Sequence, residues 1–346
     1  MSRNALIQFA FFLLWLGVLP MQAGAYALST SGISRVVIVQ DPNAINSFQA
    51  QIPVVQSMVD RGITNFTGQP TVAAAWRHLV STQDIVGIKV FSAGGEISGT
   101  RPAVVAAVIH GLQEAGLPSR HIIVWDRRAD DLRSAGFFKL ARLLNVRAEG
   151  AAETGYDPTN YYLPDSAVVG NLVYGDLEFG KKGEGVGRKS FVTKILSRQV
   201  TKIISISPLL NQPTAGVCGH LYSLAFGSVD NTLRFQNNPD RLSVAVPEIN
   251  ALPSVGDRVV LNITDALIGQ YEGGASVLLQ YSTVLDQLWF SADPVALDTM
   301  AIHELDMERQ AQGAAGFNPD MDIYKNAVLL QLGTNDPSKI KVVNVK

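Results

Sequence analysis

Apolar and polar positions recur along this chain with two different periods, and the changes from one to the other mark out its elements. Between residues 84 and 126 the sequence DIVGIKVFSAGGEISGTRPAVVAAVIHGLQEAGLPSRHIIVWD reads as strand, Gly-bearing loop, helix and second strand. Residues 85–91 form a short β-branched apolar run, whereas Val104, Val105, Val108, Ile109 and Leu112 fall on one face of a helix with 3.6 residues per turn. Thr100, Arg101 and Pro102 fit a helix start, because Pro in the first turn gives up an N–H that has no partner there; Gly116 followed by Pro118 marks the stop. A right-handed crossover between two parallel strands puts residues 92–100 and Asp126 on one edge, where open α/β sheets bind ligands.

The same patterns extend through the chain. Residues 34–40 (SRVVIVQ) predict a first strand and residues 48–61 a helix with Val54, Val55, Met58 and Val59 inward. Residues 71–80 predict another helix, with His78 near its end as a structural cation. Residues 129–144 read as helical with a break at Gly136, and residues 191–198 (FVTKILSR) as a short helix. Residues 202–207 (KIISIS) predict a strand closed by Pro208, with residues 211–219 as a loop. Further on come a helix at 244–251, a strand at 259–264 (VVLNIT) and a shorter strand at 288–291 (LWFS), before Asp293 and Pro294 open another helix. Residues 156–182 break the rhythm, with paired tyrosines, several glycines and the alternating AVVGNLVYG, and predict a β-rich excursion. The expected fold is α/β: a mostly parallel sheet flanked by helices, in a single domain over residues 28–346.

Residues 1–25 are set apart from that fold. Arg3 supplies a positive start, residues 5–19 an apolar stretch and Ala23-Gly24-Ala25 a small-residue cleavage site, the order of a secretory signal peptide. The apolar stretch is shorter than the roughly 20 residues a membrane span needs, so no stable span is expected after cleavage. The protein is therefore expected to be exported, to the periplasm or the extracellular space. Loss of Arg3 moves the formal charge from −2 to −3, a balance that recruits neither nucleic acid nor anionic lipid. With Cys218 as the only cysteine, neither an intramolecular disulfide nor a thiolate-ligated iron–sulfur cluster can form.

Four apolar runs are followed by a short polar side chain: Asp126, Asn211, Asp265 and Asp293. If all four strands are parallel, these groups converge on one rim, with Asp126 or Asp265 as general base and Asn211 and Asp293 as ligand contacts. Each also has a plainer explanation, Asp293 as a helix N-cap and Asp126 or Asp265 as the holder of a turn. Lys89 is a cation inside IKV, where a buried parallel strand is normally apolar. It either faces the crevice, matched by Asp126 or an anionic ligand, or lies on an exposed edge. Together with Thr100 and Arg101 at a helix start, Lys89 suits a carboxylate or phosphate, so the expected partner is a small anionic molecule.

Other chemistry finds little footing. The loop GGEISG does not match a dinucleotide fingerprint, and GKKGEGVG lacks phosphate-loop spacing and reads as a surface turn. There is no GxSxG elbow and no HExxH, and the five histidines are scattered. His220 is two residues from Cys218, but neighbours in sequence seldom have nucleophile–base geometry, and an inert buried Cys is the plainer account. A metal site from His220 with Asp265 or Asp126 is the less favoured alternative, no metal ligand is assigned, and the residues name no cofactor.

The segments VGIKVFSAGGEISGTRPAVVAAVIHGLQEAGL, IIVWDR, SFVTKILSRQVTKIISISPLLNQPTAGVCGHLYSLAFGSVDNTLRF, NITDALIGQYEGG and SADPVALDTMA, taken in order over residues 84–305, resemble the family called domain of unknown function 362. The resemblance implies the α/β fold and assigns no reaction. Some members are linked to ferredoxin modules, which a chain with one cysteine does not carry. Lys89, Arg101, Asp126, Asp265 and Asp293 stand at positions that fit. Where members often show a Lys-Asp-His-like cluster this chain has Asn211, Gln212 and Pro213, and where they show a Lys-Asn pair it has Tyr222 and Ser223. Both an enzyme acting on a small anionic metabolite and a non-catalytic ligand-binding or accessory protein of the cell envelope are compatible with these residues.

The leader carries its own test. N-terminal sequencing of the protein from its native host is expected to begin at Tyr26 or a few residues to either side; intact Met1 on cytosolic protein would remove the export assignment.

Overall fold

The structure is a computed structural model describing residues 32–165, 169–276 and 278–346; the expected leader at 1–25 lies outside the described residues. Its centre is an eight-strand path through one sheet: β1 (Ser34–Gln40), β2 (Val86–Val90), β3 (Ile122–Asp126), β4 (Arg147–Gly150), β5 (Lys202–Gln212), β6 (Val259–Gln270), β7 (Ser282–Ser291) and β8 (Ile340–Val345). Their spatial order is β8-β1-β7-β6-β5-β2-β3-β4. Only β7 runs against the others, pairing antiparallel with both β1 and β6. The sheet is thus mostly parallel and flanked by helices, as the sequence predicts.

Both faces of the sheet are covered, which is why its inner strands are apolar throughout rather than alternating. On one face Val86, Ile88, Ile122, Val124, Ile204 and Ile206 pack under α1 (Ile52–Thr67), α2 (Val72–Leu79) and α3 (Pro102–Glu114). On the other, Ile123, Trp125 and Ile203 pack under α4 (His220–Ser228), α5 (Pro239–Asn250) and α6 (Pro294–Ala311). From β2 the chain moves outward to β3 and β4, then returns to place β5 on the other side of β2. The strand order therefore reverses between β2 and β5, the position where open α/β sheets leave a crevice beyond their carboxyl ends.

Several boundaries differ from expectation. Pro208 does not close its strand: β5 continues to Gln212 and turns back through Gly216–Val217 as a small antiparallel pair. Pro208 has no N–H to donate, and the β5–β6 register slips just there, between Asp265 and Gln270. β6 likewise runs past Asp265 to Gln270, so Asp265 is an interior residue of the strand. Residues 191–198 are not a helix; Ser190–Thr193 is a strand, and a π-helical turn follows at Ile195–Gln199. The excursion is a hairpin, Tyr156–Tyr162 against Ser190–Thr193, whose described intervening residues are turns and irregular chain rather than strand. The break expected at Gly136 is present, at φ 80°, between helices Ala129–Ser134 and Phe137–Leu144.

Gly62 shows how closely α1 lies on the sheet, since a Cβ there would collide with the Phe290 ring of β7. Ala is favoured over Gly within a helix by about 1 kcal/mol, whereas overpacking a core costs about 1–3 kcal/mol. Gly62→Ala is therefore expected to lower the urea midpoint; an unchanged or higher midpoint would show that Phe290 can move aside.

Candidate functional site

The carboxyl ends of β2 and β3 bring together two residues that the sequence singles out. Lys89 alternates with Ile88 and Val90 along β2 and so points to the α4 face, where it is 1 % exposed. Its Nζ lies 2.8 Å from Asp126 Oδ1, donates to Ser223 Oγ at 2.9 Å and to Val90 O at 2.6 Å, and stands 5.7 Å from the centre of the Trp125 ring. Asp126, 6 % exposed, accepts on Oδ2 from Ser92 N at 2.8 Å and Ser92 Oγ at 2.6 Å. Desolvation lowers the Lys89 pKa while Asp126 opposes the shift. Gly227 completes the seat, because a Cβ at that position of α4 would overlap Lys89 Cε.

Thr100, Arg101 and Asp265 form a second group, on the α3 face. Thr100 Oγ1 accepts from Phe91 N at 2.9 Å and donates to Ile206 O at 2.8 Å, so it bridges β5 and the end of β2 at the switch point. Arg101 is the N-cap of α3. Its backbone N donates to Asp265 Oδ2 at 2.9 Å, and its guanidinium reaches Asp265 Oδ1 at 3.0 Å and Ile268 O at 3.3 Å. A carboxylate at a helix N-terminus is favourable in itself, and here it also neutralises the cation. Arg101 thus occupies the stretch where the β5–β6 ladder slips beyond Pro208.

The remaining expected groups stand elsewhere. Asn211 lies on the prolonged β5, 3 % exposed and paired to Val217, with Cys218 Sγ 3.9 Å from its carbonyl oxygen. Asp293 is not on this rim. It follows β7, the antiparallel strand, whose end Ser291 pairs with Asn262 near the start of β6. Asp293 therefore sits at the opposite edge of the sheet, where it caps α6 through Ala296 N at 2.8 Å and also accepts from Thr334 N at 2.9 Å. Its N-cap role accounts for it.

Three further groups escape a reading of the sequence alone. Ser92 and Ser223 complete the Lys89–Asp126 cluster, and nothing in their immediate sequence marks them. Asp298 is 1 % exposed on α6 and caps α4, accepting from His220 N at 2.6 Å and Leu221 N at 2.9 Å; burial raises its pKa to about 7. The His220 ring is clasped between Ser205 Oγ at 2.9 Å and Thr264 Oγ1 at 3.1 Å, and burial lowers its pKa to about 3. His220 is accordingly neutral at pH 7. Burial also pushes the Cys218 thiol up, away from the thiolate a nucleophile requires. Among the described residues no three His, Cys, Asp or Glu side chains gather to hold a metal ion, and no helix is long and apolar enough to cross a membrane.

No family model matches this chain, and no curated protein does. Among solved structures, a crystal structure of a Thermotoga maritima protein from the Northeast Structural Genomics Consortium is similar at 11 % identity and a TM-score of 0.41, over 77 % of this chain. The matched region spans 60 % of that protein's length.

The Lys89–Asp126 pair makes a quantitative expectation possible. Removing one partner of a buried pair leaves an uncompensated charge and costs roughly 3–5 kcal/mol, whereas removing both charges is often close to neutral. Lys89→Met alone is expected to destabilise by about that amount, and Lys89→Met with Asp126→Asn to recover at least about half. Chemical denaturation of the four proteins in the cycle measures this; a single variant as stable as the parent would show that the pair is not desolvated.

Proposed function

We propose that this chain is an exported α/β protein of the domain of unknown function 362 type that binds, and in its active form transforms, a small anionic metabolite beyond the carboxyl ends of β2, β3 and β5. The observation that carries the reading is the Lys89–Asp126 pair, 2.8 Å apart and nearly sealed beside the switch point. A buried ion pair is poor value for stability alone, and perturbed ionisable groups cluster where chemistry is done. The ordered sequence blocks over residues 84–305 support the family assignment, and the leader supports export.

The geometry divides the roles. Asp126 keeps an edge at the surface, whereas Asp265 is 0 % exposed with both oxygens held by Arg101. Asp126 is thus the general base in this proposal and Asp265 a positioning residue. Lys89 and Arg101 are already neutralised by these carboxylates, so a ligand anion needs another cation at the rim. Arg127, half-buried directly after Asp126, acts electrostatically on Tyr156 and Tyr222 and supplies it. The alternative of a non-catalytic binding or accessory protein of the cell envelope is favoured by one observation: Cys218 and His220, the other reactive side chains nearby, are sealed and electrically quiet.

Thermal shift with a panel of phosphate, sulfate and mono-, di- and tricarboxylates, on the parent and on Arg127→Gln, addresses both. At least one anion is expected to raise the melting temperature progressively with concentration, as linkage requires, and to lose that effect in Arg127→Gln. Turnover of the stabilising anion that vanishes in Asp126→Asn marks an enzyme; stabilisation without turnover marks the accessory protein. No response to any anion would end the rim assignment.

A further inference from the structure

A second charged position lies far from the carboxyl-end rim in sequence and is built differently. Arg234 is 2 % exposed, yet it takes part in no ion pair among the described residues. All its hydrogen bonds go to uncharged acceptors: Nε to Ser190 Oγ at 2.8 Å, Nη1 to Arg188 O, and Nη2 to Tyr162 O at 3.4 Å. Its guanidinium carbon stands 5.2 Å from the centre of the Tyr162 ring. A guanidinium withdrawn from water without a carboxylate in contact is costly; Asp230 and Glu178 act on Arg234 only from beyond ion-pair distance, whereas Lys89 and Arg101 each hold a carboxylate within 3.0 Å.

Arg234 lines a cavity of about 240 Å³ between the hairpin strand Tyr156–Tyr162 and the start of α5. By the roughly 30 Å³ share of one water in the liquid, that is room for about eight waters, or a molecule of around ten heavy atoms. Buried Tyr162, Phe235 and Ala245 make its inner wall, and the exposed Arg241 and Val244 its mouth. Asp240 also lines it, in the first turn of α5. Arg241 reaches back through Nη1 to the backbone carbonyl oxygen of Arg234 at 3.3 Å. The lining is mainly aromatic and aliphatic with three charged residues, which is the make-up of a site for an amphipathic small molecule.

We propose that this cavity is a binding site for a small carboxylic acid with an aromatic or branched aliphatic body, its carboxylate taken by Arg234 and Arg241 and its body laid against Tyr162, Phe235 and Val244. The carboxylate supplies the contacting counter-charge that Asp230 and Glu178 do not, and a guanidinium fork is matched to two carboxylate oxygens. The exposed Arg241 draws the anion to the mouth, while Asp240 beside it disfavours dianions, so a monoanion is the fitting class. Tyr162 is fixed for this role, since its hydroxyl donates to Glu248 Oε2 at 2.6 Å. The site is separate from the rim proposed above, with no residue in common.

Three probes separate charge from shape: phenylacetate, phenethylamine with the same ring and opposite charge, and acetate with the same charge and no body. Calorimetry and ligand-observed NMR on the full mature chain are expected to give phenylacetate a dissociation constant of about 1 mM or tighter, and the other two at least about tenfold weaker binding. Val244→Trp at the exposed mouth and Arg241→Gln are each expected to weaken phenylacetate at least about fivefold with melting temperature unchanged. Arg127→Gln at the rim is expected to leave it as it was, so failure of one site does not imply failure of the other. Arg234→Gln adds a direct test if it folds, and the two surface variants suffice if it does not. Equal binding of phenethylamine, indifference to both mouth variants, or no binding of phenylacetate would each overturn the proposal.

Discussion

A sheet covered by helices on both faces has no wet side, and that constraint governs every polar group on its inner strands. Strands β2, β3, β5 and β6 are almost wholly buried, so any charge they carry must find its opposite inside. The fold answers this twice at the same end of the sheet, once on each face. Lys89 turns toward α4 and meets Asp126; Asp265 turns toward α3 and meets Arg101. The hydroxyls of Ser92 and Ser223 fill valences that the Lys89–Asp126 pair leaves. Without these partners each charge would bear the desolvation penalty unrelieved, and the switch point would be the weakest part of the core.

Pro208 ties this electrostatic arrangement to the backbone. A proline in a central strand removes a ladder donor, and the pairing with the neighbouring strand slips in register there. The slip frees carbonyl groups of β6 from regular pairing, and the Arg101 side chain is placed to meet one of them, Ile268 O, while its own amide and guanidinium hold Asp265. The irregular β6 is therefore not a defect beside the site. It is what lets α3 begin so close to the sheet.

How far these features can be read from sequence depends on the range of the interaction behind them. The crossover unit of residues 84–126 was legible because its hydrophobic spacing, its Pro and its Gly are all local signals, and Lys89 stood out because a cation in an apolar run contradicts its surroundings. Strand direction is not local. The run before Asp293 looks like its parallel neighbours, but it is reversed by pairing with β1, a strand some 250 positions away, and Asp293 is carried to the other edge. The Arg101–Asp265 pair is separated by 164 positions and depends on a bulge, so the residues could be picked out but not their union. Pro208 reads as a stop by local propensity, whereas pairing with β6 and with the Gly216–Val217 return holds β5 extended past it. Asp298, Ser92 and Ser223 left no mark because a cap or a hydroxyl contact between distant elements has no periodicity.

Gly227 and Ser223 lie one helical turn apart on α4, and Lys89 touches both, its Nζ at the serine and its Cε at the bare glycine backbone. This makes the lysine a gauge of position as well as a charge. If α4 slid along the sheet by one turn, about 5.4 Å, Ser223 would come to the place of Gly227 and bring a Cβ onto the lysine stem. A ladder of leucines would tolerate such creep, because one apolar rung resembles the next. Here only one rung is empty, so the helix has a single seat on the sheet, and the loop that follows it starts from a fixed point.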